Sequence, residues 1–427
     1  MTLEVQTTTI GEILETLGGE VKTGPFGTVL KASEYTNSGV PVISVGEIGH
    51  GEFRIHGRTP YVDKSVTDRL PEFVLRENDI VFARKGSVER TALVGQTQVG
   101  WFLGSDGIRL RLPKSISARF VRYWISSSET RDWLLQNSTG STMASLNQAT
   151  IKRLPIVLPC LRVQTEVASI LGALDDKIEL NRRMSATLEE MARALYRSWF
   201  VDFDPVHARA AGLSPAHMTP TTAALFPDSF GPDGLPKGWE NAEIGQDLLI
   251  LDSKRVPLSK HQRQKRQGSV PYYGATSIMD HVDEYIFDDV LLLVGEDGSV
   301  VKPDGKPFTQ YIWGKSWVNN HAHVLKGKKF SVEQLKCFFE TVSIAEFITG
   351  AVQLKLNQGN MKKIPWVKAA DTVHYAFDEL IKPWHTKIRL LEDETANLAA
   401  LRDALLPRLM SGDLRIREAA QQVEGVV

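Results

Sequence analysis

Apolar positions along this chain follow two kinds of pattern, and the two alternate. Val167, Leu171, Leu174, Ile178, Asn181, Ser185, Leu188, Met191 and Leu195 recur at spacings of four and three. This is the seam of a coiled coil on a long helix, with polar residues at two of its turns. A second series near the C-terminus answers it: Phe377, Leu380, Trp384, Ile388, Leu391, Thr395, Leu398 and Leu405. Each pattern predicts a helix of roughly 35–40 residues, about 50–60 Å long at 1.5 Å per residue. Neither stripe can stay exposed, so they most simply bury each other. Asn181 and Thr395 either fix register there or are tolerated polar fillers. Pro383 is expected in the first turn of the second helix or at a kink. Gly412 is expected to end that helix as a C′ glycine.

Ahead of each helix the pattern changes to short strand-like runs between glycine-rich turns. In the first such region Val40–Val45, Asp79–Ala83 and Ile108–Leu112 read as strands. A helix from Ala118 to about Gln136 follows, with Phe120, Tyr123, Trp124, Trp133 and Leu134 on its apolar positions. In the second region Val270–Tyr273, Val290–Val294 and Ala322–Leu325 repeat the order, and Ser331 caps a helix carrying Leu335, Phe338 and Phe339. Gly86-Ser87-Val88 recurs as Gly298-Ser299-Val300. The segment from Thr139 to Pro155 returns as Thr349 to Pro365 with seven of 17 positions identical and no gap. A repeat of this length means two domains of one type, not a solenoid. The predicted organisation is α+β, with an α/β domain over 1–158 and a helix over 159–204. A linker with six prolines spans 205–236, a second α/β domain 237–370, and a helix and tail 371–427.

Composition narrows the class. The 427 residues are 42% hydrophobic and 24% charged, ordinary values for a soluble globular protein. Met1–Val5 lacks the basic and apolar regions of a signal peptide, and the aliphatic run Val290–Val294 is far too short to cross a bilayer. Cys160 and Cys337 stand far apart and read as two reduced thiols of a cytosolic protein. The net charge of −1 divides unevenly. Residues 1–155 carry 18 Lys and Arg against 16 Asp and Glu, and residues 237–370 carry 18 against 15. The helical stretches 156–204 and 371–427 carry 6 against 8 and 7 against 10. The repeated domains are therefore slightly basic and the helices acidic, a partition that permits nucleic-acid binding without proving it.

Catalytic motifs are missing. Gly314-Lys315-Ser316 resembles the end of a phosphate loop, but Thr309 stands where that loop needs glycine. Asp175-Asp176-Lys177 contains a nuclease-like Asp-x-Lys yet lies inside the coiled-coil pattern, where it reads as solvated helix charge. Gly-x-Ser-x-Gly, His-Glu-x-x-His, the Asp/Asn-Pro-Pro-aromatic segment of amino-methyltransferases and their cofactor glycine loop are all absent from the sequence. His321 and His323 alternate on a predicted strand, one toward the core and one toward solvent, and supply two metal ligands without a third. The chain reads as non-catalytic by itself, with no cofactor of its own.

Contact surfaces are the positive candidates. Lys254, Arg255, Lys260, Arg263, Lys265 and Arg266 fall within 13 residues of an apparent loop. Such a loop suits phosphates and, through Arg with Gln, base edges; the alternative is a solvated loop. Arg84 and Lys85, with Arg90, follow a predicted strand. Lys22, Thr23, Phe26 and Thr28 lie in a rigid Gly-Pro-Phe-Gly turn that brings backbone N–H groups forward. Tyr196, Trp199, Phe200 and Phe203 tip the acidic end of the first helix and form either a docking surface or core packing.

Taken together, these segments resemble the specificity subunit of a type I restriction–modification system over nearly the whole length. Leu171 to Met184, continuing through Ala194-Leu195-Tyr196-Arg197-Ser198-Trp199-Phe200 to Asp204-Pro205, is very similar to that family's central conserved region. Leu235-Pro236-Lys237-Gly238-Trp239 resembles the opening of its second target-recognition domain, and Leu405 to Leu414 the close of its C-terminal conserved region. Gly24-Pro25-Phe26-Gly27 and Gly39-Val40-Pro41-Val42-Ile43 fit the start of many first recognition domains. The resemblance implies two target-recognition domains separated by a long antiparallel two-helix coiled coil, a pseudo-twofold repeat. Each domain would read half of a bipartite, asymmetric site on double-stranded DNA. It also implies two methyltransferase subunits that carry S-adenosylmethionine and act on adenine, and motor–nuclease subunits besides. The second domain departs from the first by opening on a basic run where the first has Gly-Pro-Phe-Gly, so the halves read should differ. The rival reading is a coiled-coil adaptor whose paired domains bind proteins.

Overall fold

The computed structural model describes residues 6–140, 143–350 and 353–427. Met1–Val5, and Ser141, Thr142, Ala351 and Val352 of the repeated segment, lie outside the described residues. The chain divides into two compact units, one of residues 1–179 with 395–427 and one of residues 180–394.

Each unit is built on the same sheets. In the first, Glu20–Thr23, Gly107–Arg111, Ile80–Ala83 and Thr91–Leu93 lie side by side in that order, all antiparallel. A second sheet orders Tyr35–Thr36, Tyr61–Val62, Val40–Ile43 and Phe102–Leu103, its last pair parallel. Gln6–Thr9 pairs with Pro155–Leu158. In the second unit the four-stranded sheets run Leu248–Ile250, Ala322–Gly327, Leu291–Gly295, Thr309–Ile312, and Ile278–Val282, Gln267–Tyr273, Lys315–Val318, Phe287–Asp288. Again one pair is parallel, here the inner one, Gln267–Tyr273 with Lys315–Val318, and again a two-stranded ladder joins Glu240–Glu243 to Pro365–Lys368. Ile80–Ala83 and Leu291–Gly295, both central, are buried at every position, which is why they read as unbroken apolar runs. Gly314-Lys315-Ser316 falls at a strand start with Ser316 buried, not in a phosphate loop.

The long helices are Leu161–Phe200 and Asp371–Ser411, 40 and 41 residues. In the first unit Leu171, Leu174 and Ile178 share a core with Leu398, Leu405 and Leu409, under Phe120 and Val121. In the second unit Ala192, Tyr196 and Trp199 share one with Val373, Phe377 and Ile381, under Leu335 and Phe339. The start of one helix meets the end of the other in the first unit and the reverse holds in the second, so the pair is antiparallel. Asn181 is buried, and its amide donates to Glu394 of the opposing helix at 2.9 Å. Gly412, at φ 80°, stops the second helix. Among the described residues no helix is long and apolar enough to cross a membrane.

Several expectations need correction. Met191 and Leu380 are 44% and 42% exposed, and Ala192 and Ile381 beside them are buried instead. The alternation of four and three itself leads from Leu188 to Ala192 and from Phe377 to Ile381, and both positions share a core with Tyr196, Trp199 and Phe377. The second helix continues through Pro383, its thirteenth residue and so outside the first turn, which is exposed beside exposed Glu379. A proline on the outer face removes one hydrogen bond without disturbing the packed stripe. The predicted helix to Gln136 is two helices, Ala118–Ile125 and Ser128–Gln136. Ser127 restarts it by accepting the Thr130 N–H at 3.3 Å. Residues 205–236 are not a loose linker: Val206 and Phe226 enter the second unit's core, and Arg209 donates to the Phe226 carbonyl.

Candidate nucleic-acid interface

In the first unit four segments converge at one corner of the main sheet. The strand ending at Thr23 passes into a turn in which Gly24 lies so close to Gly104 that a Cβ there would sit 1.8 Å from the Gly104 carbonyl. That contact excludes any side chain and aims the exposed ring of Phe26 outward. Arg84 follows the central strand and lays its guanidinium over Phe26, 4.5 Å from the ring centroid. Lys85 pairs with Asp106 at 3.1 Å and stays half-exposed. The Gln148 amide reaches the Thr23 hydroxyl at 3.1 Å. Lys22 packs over Phe73 at 5.0 Å, Thr28 is exposed, and Arg90 is half-buried with its Nε unpartnered among the described residues.

Strand register gives the equivalent corner of the second unit. Thr23 pairs across its ladder with Ile108, beside Phe82, and His323 pairs with Val294 in the matching place. The Leu146 N–H donates to the Arg84 carbonyl and the Leu356 N–H to the Glu296 carbonyl, at 2.8 and 2.9 Å. Asn147 and Asn357 cap the helices that follow, each accepting a backbone N–H at 2.8 Å. Gln358 then donates to Asp252 at 2.6 Å as Gln148 meets Thr23. Counting onward, Asp252 stands for Thr23, Arg255 for Phe26, and Glu296 for Arg84. The Phe–Arg stack of one unit is replaced by an Arg–Glu ion pair of 2.8 Å in the other.

This second corner is closed on itself. His323, fully buried, sets Nδ1 2.6 Å from Asp252 and Nε2 2.7 Å from the Leu356 carbonyl. Arg255 also donates to the Ala322 carbonyl at 2.6 Å, and Lys355 lies 3.5 Å from Glu296. Burial works to raise the Asp252 carboxyl, but hydrogen bonds from His323 and the Val324 N–H, with Arg255 alongside, hold it below the usual carboxylate range. Asp252, Glu296 and His323 supply three potential metal-ligand atoms within 4.8 Å of one another, one more than His321 and His323 alone suggested. Every one of these groups is already engaged by Arg255, Lys355, Gln358 or a carbonyl, the pattern of a structural ion-pair network. His321 is half-exposed and meets Asp297 at 2.5 Å, so the predicted alternation of the two histidines holds.

The basic run that follows is a helix, Lys260–Lys265, capped by Ser259 and Gln262 in a reciprocal box, and not a loop. Arg263 pairs with Asp280 at 3.0 Å, and Arg266 with Asp283 and Glu284 at 3.0 and 2.6 Å. Lys254, Lys260 and Lys265 remain exposed.

The family model of the type I restriction modification DNA specificity domain matches residues 3–190 and 236–365, one match for each repeat. The chain belongs to the type I restriction–modification specificity family. Its relatives include the type I restriction enzyme MjaIX specificity subunit of Methanocaldococcus jannaschii, 22% identical, with 94% of this chain and 92% of that one covered. The HindI specificity subunit of Haemophilus influenzae is 25% identical over 69% of this chain and 77% of its own. In fold it is similar to the crystal structure of the type I S subunit from M. genitalium, with TM-score 0.57, 15% identity and 96% of both chains covered.

Two groups of predicted contacts in this specificity subunit are placed otherwise. Tyr196, Trp199 and Phe200 are buried in the second unit's core with Phe377 and Trp239, and Phe203 is half-buried against Phe230 and Trp239. Rings this large at the closing end of a helix pair fill the core, the alternative the sequence had left open. Arg255, Arg263 and Arg266 are tied to carboxylates on neighbouring strands and loops, which sequence distance concealed. Asp175 is no solvated charge either: it accepts from Tyr123 at 2.6 Å, Arg122 at 3.2 Å and Arg402 at 2.8 Å. Sequence reasoning also passed over Gln148 and Gln358, although their Leu-Asn-Gln context is identical in both repeats.

Proposed function

We propose that this specificity subunit reads a bipartite, asymmetric site on double-stranded DNA, one half through each unit. It holds two methyltransferase subunits in place for adenine N6 methylation. Those subunits carry S-adenosylmethionine and flip the target base; motor–nuclease subunits complete the restriction enzyme. The chain contributes no catalytic group and works in the cytoplasm. The observation that carries this reading is the exchange at equivalent positions, Phe26 with Arg84 in one unit and Arg255 with Glu296 in the other. One scaffold carries different residues at equivalent positions, an exposed ring under an arginine in one unit and a closed ion pair in the other, and such a difference suits reading two different half-sites. Helices of 40 and 41 residues are about 60 Å long, the length of roughly 18 base pairs. That length suits two short half-sites with an unread gap.

The test is a map of methylated adenines in a methylation-free bacterial host expressing this chain with the methyltransferase encoded beside it. A gapped, asymmetric motif that disappears when this chain is omitted supports the reading. An active methyltransferase that leaves no such motif rejects it.

A further inference from the structure

We infer that the short helix Lys260–Lys265 is the major-groove reader of the second unit, with His261 and Gln264 touching base edges and Lys260 and Lys265 holding the flanking phosphates. The inference rests on the DNA-reading function proposed above and goes beyond it by assigning roles residue by residue.

The helix has two unlike faces. Lys260, His261, Gln264 and Lys265 are spaced i, i+1, i+4, i+5 and so share one side. All four are exposed, and among the described residues none of their side chains makes a hydrogen bond or ion pair. The other side is riveted down. Arg263 bonds Asp280 at 3.0 Å and the Leu258 carbonyl at 2.7 Å, with its guanidinium 5.1 Å from the Tyr272 ring centroid. Arg266 bonds Asp283 and Glu284 and lies 4.9 Å from the Trp317 centroid. Gln267 adds a bond to Asp280 at 3.3 Å. The neighbouring acids are thus each claimed by an arginine behind the helix, and the outward face keeps two lysine charges with no carboxylate of its own.

Dimensions and chemistry agree. Six residues make a helix about 9 Å long, which enters a major groove about 12 Å wide and covers two to three base pairs. A glutamine amide matches adenine N6 and N7 in a bidentate contact, and an imidazole offers base edges a donor and an acceptor. Lysines at the two ends of the helix are placed as point charges for backbone phosphates. Because the arginines fix the helix, these four groups need little ordering when they meet DNA.

The experiment uses the full chain in complex with its methyltransferase. Sites are selected from DNA randomised over the motif, and affinity is measured against salt. For His261→Ala and Gln264→Ala the expected result is a 5- to 100-fold loss of discrimination at one to three adjacent positions of one half-site. Preference at the other half is unchanged. For the double variant Lys260→Ala/Lys265→Ala, affinity falls on every sequence and the slope of log K against log salt decreases by about 1.8. The four side chains are exposed, so unchanged thermal midpoints are the folding control. A wild-type complex that selects a motif, with both single variants selecting the same motif at every position, overturns the inference alone. A wild-type complex that selects nothing removes the DNA-reading function with it. An unchanged salt slope in the lysine variant, with affinity for an acidic protein lost instead, also overturns it.

Discussion

Arg402 of the second long helix sets Nη1 2.8 Å from Oδ1 of Asp175 in the first. The other oxygen of the same carboxylate takes Tyr123 and Arg122 from the short helix above. Burial works to raise this carboxyl, but Arg122, Tyr123 and Arg402 together hold it below its ordinary value. One side chain thus ties three helices, and its removal takes the carboxylate partner from buried Arg122 and leaves Arg402 only Asp403. Asp175→Ala should cost about 3 kcal/mol, and Arg402→Ala less because Tyr123 and Arg122 remain. Urea unfolding of the purified chain measures both.

Trp199 is packed edge-on to Phe226 and Phe377, at 4.9 and 5.5 Å between centroids. As a core residue its replacement by alanine should destabilise the second unit by about 3–5 kcal/mol. A loss of thermal midpoint in the isolated chain is the expected result. A docking residue would instead leave that midpoint unchanged and weaken only subunit assembly.

Arg263 faces inward, so its role in DNA binding is indirect. Arg263→Ala should loosen the helix Lys260–Lys265 and reduce affinity several-fold while leaving the salt slope as in the wild type, since no phosphate contact is removed. Affinity titrations at four salt concentrations separate this from the lysine variants.

His374 is stacked between Phe200 and Trp366, 5.2 Å from each, with Nδ1 2.7 Å from the Gln334 amide nitrogen. Burial lowers its pKa from 6.5 to about 4. The fold therefore favours the neutral ring, and this contribution is complete above pH 6.5 and lost as pH falls from 6.5 to 4. The loss amounts to about 3 kcal/mol. Comparing urea midpoints at pH 7.5 and 4.5, His374→Gln should show a smaller drop than the wild type.

Much of this architecture was legible from the residues. The two helix patterns, their mutual burial and the capping serine at 331 follow from local periodicity and short-range hydrogen bonding, which sequence spacing encodes directly, whereas the antiparallel sense of the pair was implied only by the family resemblance. Hydrophobicity alone preferred Met191 to Ala192 and Leu380 to Ile381, although the alternation of four and three, continued from Leu188 and Phe377, reaches the buried pair. The arginines were misplaced for another reason. Nothing local distinguishes Arg263, whose partner Asp280 is 17 residues away, from Lys260, which has none among the described residues. Charge composition finds a basic segment; only the tertiary neighbours decide which of its charges face outward. The repeated Asn-Gln pair was visible but silent, since its function, capping one helix and reaching across to Thr23 or Asp252, exists only in the folded corner.

The central claim is that each unit reads its own half of one site, and a single measurement addresses it. Methylated adenines are mapped in a host expressing the methyltransferase with a chain altered only in the first unit, by Phe26→Ala and Arg84→Ala together. Half of the wild-type motif should become degenerate while the other half and the gap stay as they were. Loss of selectivity in both halves at once, or an unaltered motif in cells where the variant is stable, would contradict the account.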